Sequence, residues 1–406
     1  MGKYNYDKSA LAGLGVGDFL NEVKVREAHI AAAPAEEIKS VYNANILAGR
    51  LHPDYQQARI AEIKNEPDAK TFTFVQDDEN GTGALAYFRA GQYISAVIEM
   101  NGVIITKPYT IASAPKAALG DKNTSYMITV KKSPDGFASE HILNNWKEGD
   151  VIMFSQPLGQ FYYQDLRDAK NVIAAAGGSG ITPFYAMAAA IADGTEDFNL
   201  TILYGSRTAD SILLKNELAE LETKAAGKVK VVHILSDEEK DGYEHGFITA
   251  EMIKKYGSGD YSVFACGPKA MMDFLKEETE KLGLPGRRVR FEVPGEFGNP
   301  AGTQGYPAEA AGKEYDITVI VRGEETKIKC RSDQTLLDAC QMAGIPVTSD
   351  CRSGLCGWCH SRLVSGDVFM PESADGRREA DKKFGWIHPC AAYPLGSVTM
   401  EVFPNV

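Results

Sequence analysis

The chain has little of what marks nucleic-acid-binding or membrane proteins. Its 43 Lys and Arg residues are outnumbered by 55 Asp and Glu residues, for a formal net charge of −12, and no basic stripe offsets this acidity. Because phosphate backbones attract basic faces, nucleic acid is excluded as a main partner. No apolar run approaches the roughly 18 residues that span a bilayer. The first residues, MGKYNYDKSALAGLG, lack the apolar core of a signal peptide. We therefore expect a soluble, cytoplasmic protein without membrane insertion.

Several catalytic patterns are also missing. The sequence has no internal repeats, no Gly-Lys-Ser/Thr P-loop and no residue set that suggests a general acid–base pair or an activated nucleophile. Cysteine is scarce, with seven residues among 406, yet four of them belong to one pattern. In a reducing compartment such a cluster favours metal or redox chemistry over a disulfide framework.

That pattern is CRSGLCGWC at 351–359, followed by a fourth cysteine in IHPC. The spacing C-x4-C-x2-C with a distant fourth cysteine is typical of plant-type [2Fe–2S] ferredoxins. Zinc ribbons and fingers usually bring two short cysteine pairs instead. Gly354 and Gly357 let backbone N–H groups approach the cluster sulfurs, because glycine has no Cβ. The pattern favours a [2Fe–2S] cluster, with zinc and disulfides as alternatives.

The surrounding segment, TLLDACQMAGIPVTSDCRSGLCGWCHSRLVSGDV, resembles the plant-type ferredoxin family along its whole length. The resemblance implies that four residues ligate the two irons, namely Cys351, Cys356, Cys359 and Cys390. Cys330 and Cys340 fall outside the loop and are expected to be buried small hydrophobic residues. Trp358, inside the loop, either shapes the electron exit or packs against the cluster.

Element patterns divide the chain into five segments. Residues 1–55 are predicted to form a helical extension. Residues 56–165 show short β-like runs separated by turns, which indicates a small antiparallel barrel. Residues 166–293 alternate strands and helices, as in a doubly wound parallel sheet. Residues 294–313 are rich in Gly and Pro and are predicted to be a linker. Residues 314–406 are predicted to form a compact unit, and the resemblance to plant-type ferredoxins implies the α+β ferredoxin-like (β-grasp) class.

Within the predicted barrel, KPYTIAS (107–113) resembles the R-x-Y-[ST]-x-x-S flavin motif of the ferredoxin–NADP⁺ reductase superfamily. AGQYIS precedes it, and DGFAS and PLGQF follow it, in the family's order. The resemblance implies that Tyr109 packs on the flavin and that Thr110 lies near its N5. Lys107 stands where the family has arginine and offers a point charge in place of a bidentate fork. FAD is favoured over FMN. The implied flavin residues are Lys107, Tyr109, Thr110, Ser113, Gly136 and Ser139.

AAAGGSGITPF (174–184) ends a strand and opens a helix, so its N–H groups suit a pyrophosphate. It resembles the superfamily's G-x-G-x-T-P loop, and LYGSR and ACGPKAMM follow in the family's order. The resemblance places Cys266 and Gly267 beside the nicotinamide, Arg207 near the adenosine ribose and Glu292 near the flavin. The loop residues implied to cradle the nucleotide are Gly177, Gly178, Gly180 and Thr182. NADH is favoured over NADPH.

Thr110 and Cys266 are thus the candidates closest to the chemistry. The domain order implies an NAD(P)H-dependent reductase that passes electrons through flavin and [2Fe–2S] to a separate acceptor protein. Such an acceptor is an oxygenase component, a hybrid-cluster protein or another metalloenzyme. Alternatives are a non-catalytic redox sensor or carrier, and an enzyme that reduces a small molecule at the flavin. The N-terminal extension is expected either to dock a partner or to brace the barrel.

Overall fold

The structure, a computed structural model, describes residues 15–33, 42–80, 82–100, 102–133, 137–292 and 298–403. Contacts divide the chain into two units, Met1–Leu47 and Ala48–Val406. The N-terminal segment contains helices α1 (Val16–Ala32) and α2 (Asn43–Leu51). Its predicted helical character is therefore confirmed for the part that the structure describes.

The flavin-domain candidate is a six-stranded antiparallel sheet in the order β4-β3-β6-β1-β2-β5. Alternating side chains of β2 and β6 point inward, so Phe74 meets Phe154 edge-on at 4.8 Å between ring centroids. Burial of each such ring contributes about 2 kcal/mol. The elements are β1 (Tyr55–Glu66), β2 (Ala69–Gln76), β3 (Tyr93–Met100), β4 (Val103–Thr110), β5 (Ser125–Lys131), α3 (Phe137–Asn145) and β6 (Val151–Ser155).

The next domain is a parallel sheet in the order β10-β9-β8-β7-β11-β12. Successive residues of β7 enter two different cores, because neighbouring side chains of a strand point to opposite faces. Both faces are thus covered, as in a doubly wound fold. The elements are β7 (Asn171–Gly177), α4 (Thr182–Ala192), β8 (Asn199–Ser206), α5 (Lys215–Lys224), β9 (Val229–Leu235), β10 (Glu244–His245), α6 (Ala250–Tyr256), β11 (Tyr261–Cys266), α7 (Lys269–Glu280) and β12 (Val289–Phe291).

The C-terminal domain has a five-stranded mixed sheet in the order β14-β13-β19-β15-β17, with helix α8 packed on it. Thr335 caps α8 by accepting a 3.1 Å hydrogen bond from the Asp338 N–H. The elements are β13 (Glu314–Val321), β14 (Glu324–Arg331), α8 (Leu336–Met342), β15 (Ser361–Ser365), β16 (Val368–Phe369), α9 (Glu379–Lys383), β17 (Trp386–Ile387), β18 (Tyr393–Pro394) and β19 (Val398–Val402). The predicted fold class is therefore confirmed in all its parts.

The predicted linker lies partly outside the described residues. Its described part, 298–313, has turns and is anchored to the C-terminal domain: Tyr306 donates a 3.1 Å hydrogen bond to the Ser332 carbonyl. Among the described helices, none has the length and apolar character to cross a membrane.

Candidate functional site

The flavin motif occupies the end of β4, where the antiparallel register sets Thr110 opposite Tyr93 and Tyr109 opposite Ile94. Tyr93 in turn exchanges two backbone hydrogen bonds with Leu158, at 3.0 and 2.7 Å. A Cβ at Gly159 would lie 2.9 Å from the Tyr93 ring, so glycine is required there. The strand pairing thus brings the KPYTIAS, QYIS and PLGQF segments to one side of the barrel.

This side of the barrel borders a cavity of about 800 Å³ that all three domains line. Eight of the residues implied for the flavin and the nucleotide line it: Lys107, Tyr109, Thr110, Ser139, Gly180, Thr182, Cys266 and Glu292. Two of the four cysteines implied to ligate the cluster, Cys351 and Cys356, line it as well. Segments far apart in the sequence therefore meet in one chamber.

The remaining implied residues lie close by or cannot be placed. Ser113 accepts a 3.2 Å hydrogen bond from the Met127 N–H and supports the strand that follows the flavin motif. Arg207 is exposed at the end of β8, and its carbonyl accepts from the Asp237 N–H at 3.0 Å. Gly177, Gly178 and Gly267 flank the cavity lining without forming part of it. Gly136 lies outside the described residues.

The glycine-rich loop is held against the end of β11. A Cβ at Gly180 would lie 2.2 Å from the Cys266 carbonyl oxygen, and one at Gly177 would lie 2.3 Å from the Met271 sulfur. Thr182 donates a 3.0 Å hydrogen bond to the Ser179 carbonyl and so orders the first turn of α4. The backbone therefore forms a close cradle that larger residues would fill.

Two buried acids shape the electrostatics of the cavity. Burial raises the pKa of the Cys266 thiol well above its usual range, so this cysteine is a neutral side chain and not a nucleophile. Burial also raises the pKa of Glu292 to about 7. Glu292 is held by its N–H, which donates to the Ala265 carbonyl at 2.9 Å. The carboxyl thus changes charge near neutral pH inside the chamber.

The loop cysteines are arranged as two pairs. The Sγ atoms of Cys359 and Cys390 lie 3.3 Å apart, and a hydrogen bond from the Cys356 thiol lowers the pKa of Cys351. Backbone N–H groups of Ser353 and Cys356 donate to the Cys351 sulfur, each at 3.4 Å. Among the described residues, no three His, Cys, Asp or Glu side chains surround one metal position. Two cysteine pairs fit a two-iron cluster, with one pair for each iron.

A network of hydrogen bonds, here called the seam, joins the cysteine loop to barrel strands β3 and β4. Thr106 donates to the Ser349 carbonyl at 2.6 Å, and Ser95 donates to the side chain of Asp350. Arg352, which is 1% exposed, donates to the Thr106 carbonyl at 3.4 Å and to Gln341 at 2.8 Å. The seam lies beside both the flavin motif and a cluster cysteine.

Several residues that line the cavity carry no recognisable signal in the sequence. Lys131 ends β5 in SYMITVK, where a lysine is ordinarily a surface residue. Its ammonium nitrogen lies 3.7 Å from the position of a Cβ built at Gly178, and it lines the chamber with Lys107. Arg290 lines the chamber too and donates to the Tyr162 carbonyl at 2.7 Å. Only the pairing of β2 with β5 brings Lys131 to this side of the barrel.

The residues present fit a flavin, a dinucleotide and an iron–sulfur cluster. Two lysines supply charge for a flavin phosphate, and the tight glycine cradle leaves backbone N–H groups for a pyrophosphate. For the cluster, four thiols and three N–H···S contacts provide the donor set. A Cβ at Gly354 would lie 1.9 Å from the Ala374 carbonyl oxygen, so only glycine permits this loop.

Comparison with known families and proteins agrees with this arrangement. Three family models match: the oxidoreductase FAD-binding domain over residues 61–163, the oxidoreductase NAD-binding domain over 175–277, and the 2Fe-2S iron-sulfur cluster binding domain over 319–395. These matches confirm the predicted cofactor set of FAD, NAD and a [2Fe–2S] cluster.

Relatives align with this chain over nearly their whole length. The glycine betaine monooxygenase reductase subunit of Chromohalobacter salexigens is 26% identical over 84% of this chain and 93% of its own. The ferredoxin reductase component of 3-ketosteroid-9-alpha-monooxygenase from Rhodococcus rhodochrous is 29% identical, over 82% and 93%. The solved structure of phthalate dioxygenase reductase superposes with a TM-score of 0.63 at 22% identity, over 86% and 98%, which shows a shared fold.

Proposed function

Because this chain belongs to the ferredoxin–NADP⁺ reductase superfamily, in the group with a C-terminal [2Fe–2S] domain, we propose that it is the reductase component of an oxygenase-type system. It takes electrons from NADH and delivers them to a separate metalloenzyme. The observation that carries this proposal is the single chamber lined by the flavin motif, Cys266 and the cluster loop. Relatives named as reductase components of monooxygenases support the same assignment.

On the barrel side, Tyr109 covers the flavin ring, and the Thr110 hydroxyl lies near its reactive nitrogen. Lys107 and Lys131 neutralise phosphate charge, and Ser139, in the first turn of α3, hydrogen-bonds the pyrophosphate. Ser113 and Gly136 complete the flavin site by supporting the strand and the turn. We retain residues 56–165 as the flavin domain.

On the nucleotide side, the backbone of Gly177, Gly178, Gly180 and Thr182 holds the pyrophosphate of NADH. Cys266 and Gly267 hold the nicotinamide against the flavin. The neutral thiol of Cys266 fills space beside the reacting ring without competing for the hydride. We retain 166–293 as the nucleotide domain and 294–313 as the linker.

In the C-terminal domain, 314–406, the cluster is held by Cys351, Cys356, Cys359 and Cys390. When bound, the flavin accepts a hydride and the cluster carries single electrons, so together they convert a two-electron donor into a one-electron supply. The protein orients these groups. A cytoplasmic location is part of the proposal, because NADH and reduced thiols are both available there.

The test is steady-state NADH oxidation by protein loaded with FAD and iron, with ferricyanide or cytochrome c as acceptor. We expect Cys356→Ser to retain most ferricyanide turnover at the flavin. Its rate of cytochrome c reduction should fall at least tenfold. Cys340→Ser is the matched control, since this cysteine is buried outside the loop, and it should retain both activities.

The same measurement separates the alternatives. A redox sensor or carrier would show no turnover with either acceptor. An enzyme that reduces a small molecule at the flavin would keep full activity on that substrate after Cys356→Ser. Either result would overturn the proposed function.

A further inference from the structure

The two cysteine pairs of the cluster site differ in their access to the chamber. Cys351 and Cys356, with Leu355 and Trp358, line the chamber shared with the flavin domain. Cys359 and Cys390 lie outside that lining and are 3% and 2% exposed. Since the chamber side receives electrons from the flavin, Trp358 belongs to the entry side, and an acceptor protein needs another surface close to the cluster.

A run of aromatic rings leads from the Cys359–Cys390 pair to such a surface. His388 is buried, with Nδ1 2.6 Å from the Gly354 carbonyl oxygen. Its ring meets that of His360 at 5.8 Å, and His360 stacks on Trp386 at 4.3 Å with an interplanar angle of 10°. Trp386 lies 5.7 Å from Phe403, which is 48% exposed. The four rings therefore run from the sequence neighbours of Cys359 and Cys390 to solvent.

The sheet register gathers these side chains on one face. Arg362 of β15 pairs with Trp386 of β17 and with Glu401 of β19, so all three side chains point to the same side. Phe403 follows Glu401 by two residues and shares that side. We call this surface the Trp386 face and define it by His360, Arg362, Val364, Trp386 and Phe403.

The Trp386 face has the composition of a protein interface. Aromatic residues and arginine are enriched in such surfaces, and exposed apolar patches mark interaction sites. Val364 and Phe403 are 51% and 48% exposed. Arginines border the patch: Arg377 donates to the Trp386 carbonyl at 3.1 Å, and the Arg378 side chain is 80% exposed beside Asp381.

These arginines contrast with the charge of the whole chain, which is −12. Asp375, Asp381 and Glu401 balance the formal charges of Arg377, Arg378 and Arg362. The Arg378 side chain is nevertheless 80% exposed, whereas that of its partner Asp381 is 9% exposed, and the Arg378 guanidinium keeps N–H donors for a second carboxylate. An acceptor with carboxylates around its prosthetic group would meet repulsion on most of this protein and attraction at the Trp386 face.

We propose that the Trp386 face is the docking site for the electron-acceptor protein, and that this acceptor presents an acidic surface around its redox centre. The proposal rests on the proposed function and adds to it the place of electron exit. One NADH reduces two ferric haems of a one-electron acceptor, and NAD⁺ and one proton are released. The electrons leave through the His388–His360–Trp386 side.

The probe is the soluble haem domain of cytochrome b5, an acidic one-electron acceptor. We expect Arg362→Glu to raise its KM about tenfold, which corresponds to about 1.4 kcal/mol, because one attractive contact becomes repulsive. Ferricyanide turnover and the electron paramagnetic resonance spectrum of the reduced cluster should not change. Lys327→Glu is the matched control: it reverses one exposed lysine on β14, at the opposite edge of the same sheet, and should leave the KM within twofold.

A second readout does not depend on turnover. Hydroxyl-radical footprinting of the loaded protein should show that oxidised cytochrome b5 protects Trp386 and Phe403, and that Arg362→Glu abolishes this protection. Any of three outcomes would overturn the docking proposal. Cytochrome b5 could protect Leu355 and Trp358 instead, the KM could be equal for Arg362→Glu and Lys327→Glu, or the wild type could fail to reduce cytochrome b5.

Two further results identify other failures. If Arg362→Glu changes the sedimentation coefficient of the protein alone, the face binds a second copy of the chain, and the acceptor assignment is wrong. If the wild type lacks ferricyanide turnover as well, the proposed function itself fails. If ferricyanide turnover is intact and cytochrome b5 does not protect Trp386 and Phe403, only the docking proposal is contradicted.

Discussion

At the scale of single residues, two lysines on different strands bring positive charge to the chamber and are the proposed partners of a flavin phosphate. Lys107 on β4 stands where the superfamily motif has arginine, and its single charge does not reproduce a bidentate fork. Lys131 on β5 lines the same chamber. The fold therefore supplies a second cation where the motif by itself would have suggested a weak site.

We predict that Lys131→Ala weakens FAD binding by roughly tenfold, because a hydrogen bond between charged groups contributes about 1.5–3 kcal/mol. The measurement is a fluorescence titration of flavin-free protein with FAD. Lys131→Arg should retain most of the affinity. The neighbouring Lys132→Ala is the control, since Lys132 is exposed and lies outside the chamber lining. Equal affinities for the two alanine variants would contradict the assignment.

The sequence identified residues whose roles depend on local spacing and could not identify those that depend on pairing across the fold. The cysteine loop and KPYTIAS carry their meaning within about nine residues. Lys131 has no such signal, because the sequence SYMITVKK is an ordinary amphipathic strand. Glu292 was placed near the flavin by its segment alone, and the structure adds the burial that raises its pKa to about 7.

At the scale of elements, the ends of β8 and β9 place an acidic turn beside Arg207. The Asp237 N–H donates to the Arg207 carbonyl at 3.0 Å, and the Glu238 carboxylate accepts from the Ala209 N–H at 2.8 Å. The turn also contains Glu239 and Asp241. If Arg207 lies near the adenosine ribose, these carboxylates repel a 2′-phosphate, which favours NADH over NADPH.

We predict that Glu238→Gln improves kcat/KM for NADPH by about tenfold and leaves that for NADH within twofold. The glutamine amide oxygen keeps the hydrogen bond from the Ala209 N–H, and the substitution removes one negative charge. Two unit charges about 8 Å apart at an effective dielectric of about 20 interact by about 2 kcal/mol, which is enough for a tenfold effect. Glu222→Gln is a matched control, because Glu222 also accepts from a backbone N–H, that of Val231, at 3.1 Å. An unchanged preference would place the ribose elsewhere.

The seam is the element-scale feature that positions the cluster loop against the flavin strands. Its hydrogen bonds join β3 and β4 to residues about 250 positions later in the chain. Buried Arg352 ties this contact to α8 through Gln341 and Asp338. We infer that the seam keeps the cluster loop in the position from which it receives electrons.

We predict that the double variant Ser95→Ala and Thr106→Val slows cluster reduction by about tenfold, because losing two or three interdomain hydrogen bonds at about 1 kcal/mol each lowers the docked population. Stopped-flow absorbance should show flavin reduction by NADH unchanged. Small-angle scattering should report a larger radius of gyration. Thr71→Val is the control, since it removes the 2.9 Å bond to the Thr129 hydroxyl inside the barrel. Equal cluster reduction in the double variant and the control would exclude a positioning role.

Element types followed from periodicity, whereas the contacts between domains did not. The helical spacing of SILLKNELAELETKA and the alternation of TFTFVQ predicted α5 and β2, because each pattern serves one buried face. The seam uses Ser95, Thr106 and Ser349, which are common strand and loop residues. No periodic pattern identifies a hydroxyl that pairs across two domains.

At the scale of the whole molecule, the three catalytic domains contain the folding cores that the structure describes. Among the described residues, the first buried residue is Gln56, and the first residue of any hydrophobic cluster is Ala58. The flavin-domain match starts at residue 61, and the relatives named above cover 82–84% of the chain. Helices α1 and α2 therefore precede every hydrophobic cluster that the structure describes.

We predict that removing residues 1–41, which leaves α2 intact, preserves FAD and cluster content and keeps ferricyanide turnover within twofold, because no described buried residue is lost. The measurement compares the truncated and full-length chains by absorption spectrum, turnover and thermal melting. A melting midpoint lower by several degrees would assign the extension a bracing role, and loss of protein-acceptor reduction alone would assign it to partner docking. Loss of flavin or of ferricyanide turnover would contradict the view that residues 42–406 suffice for the chemistry.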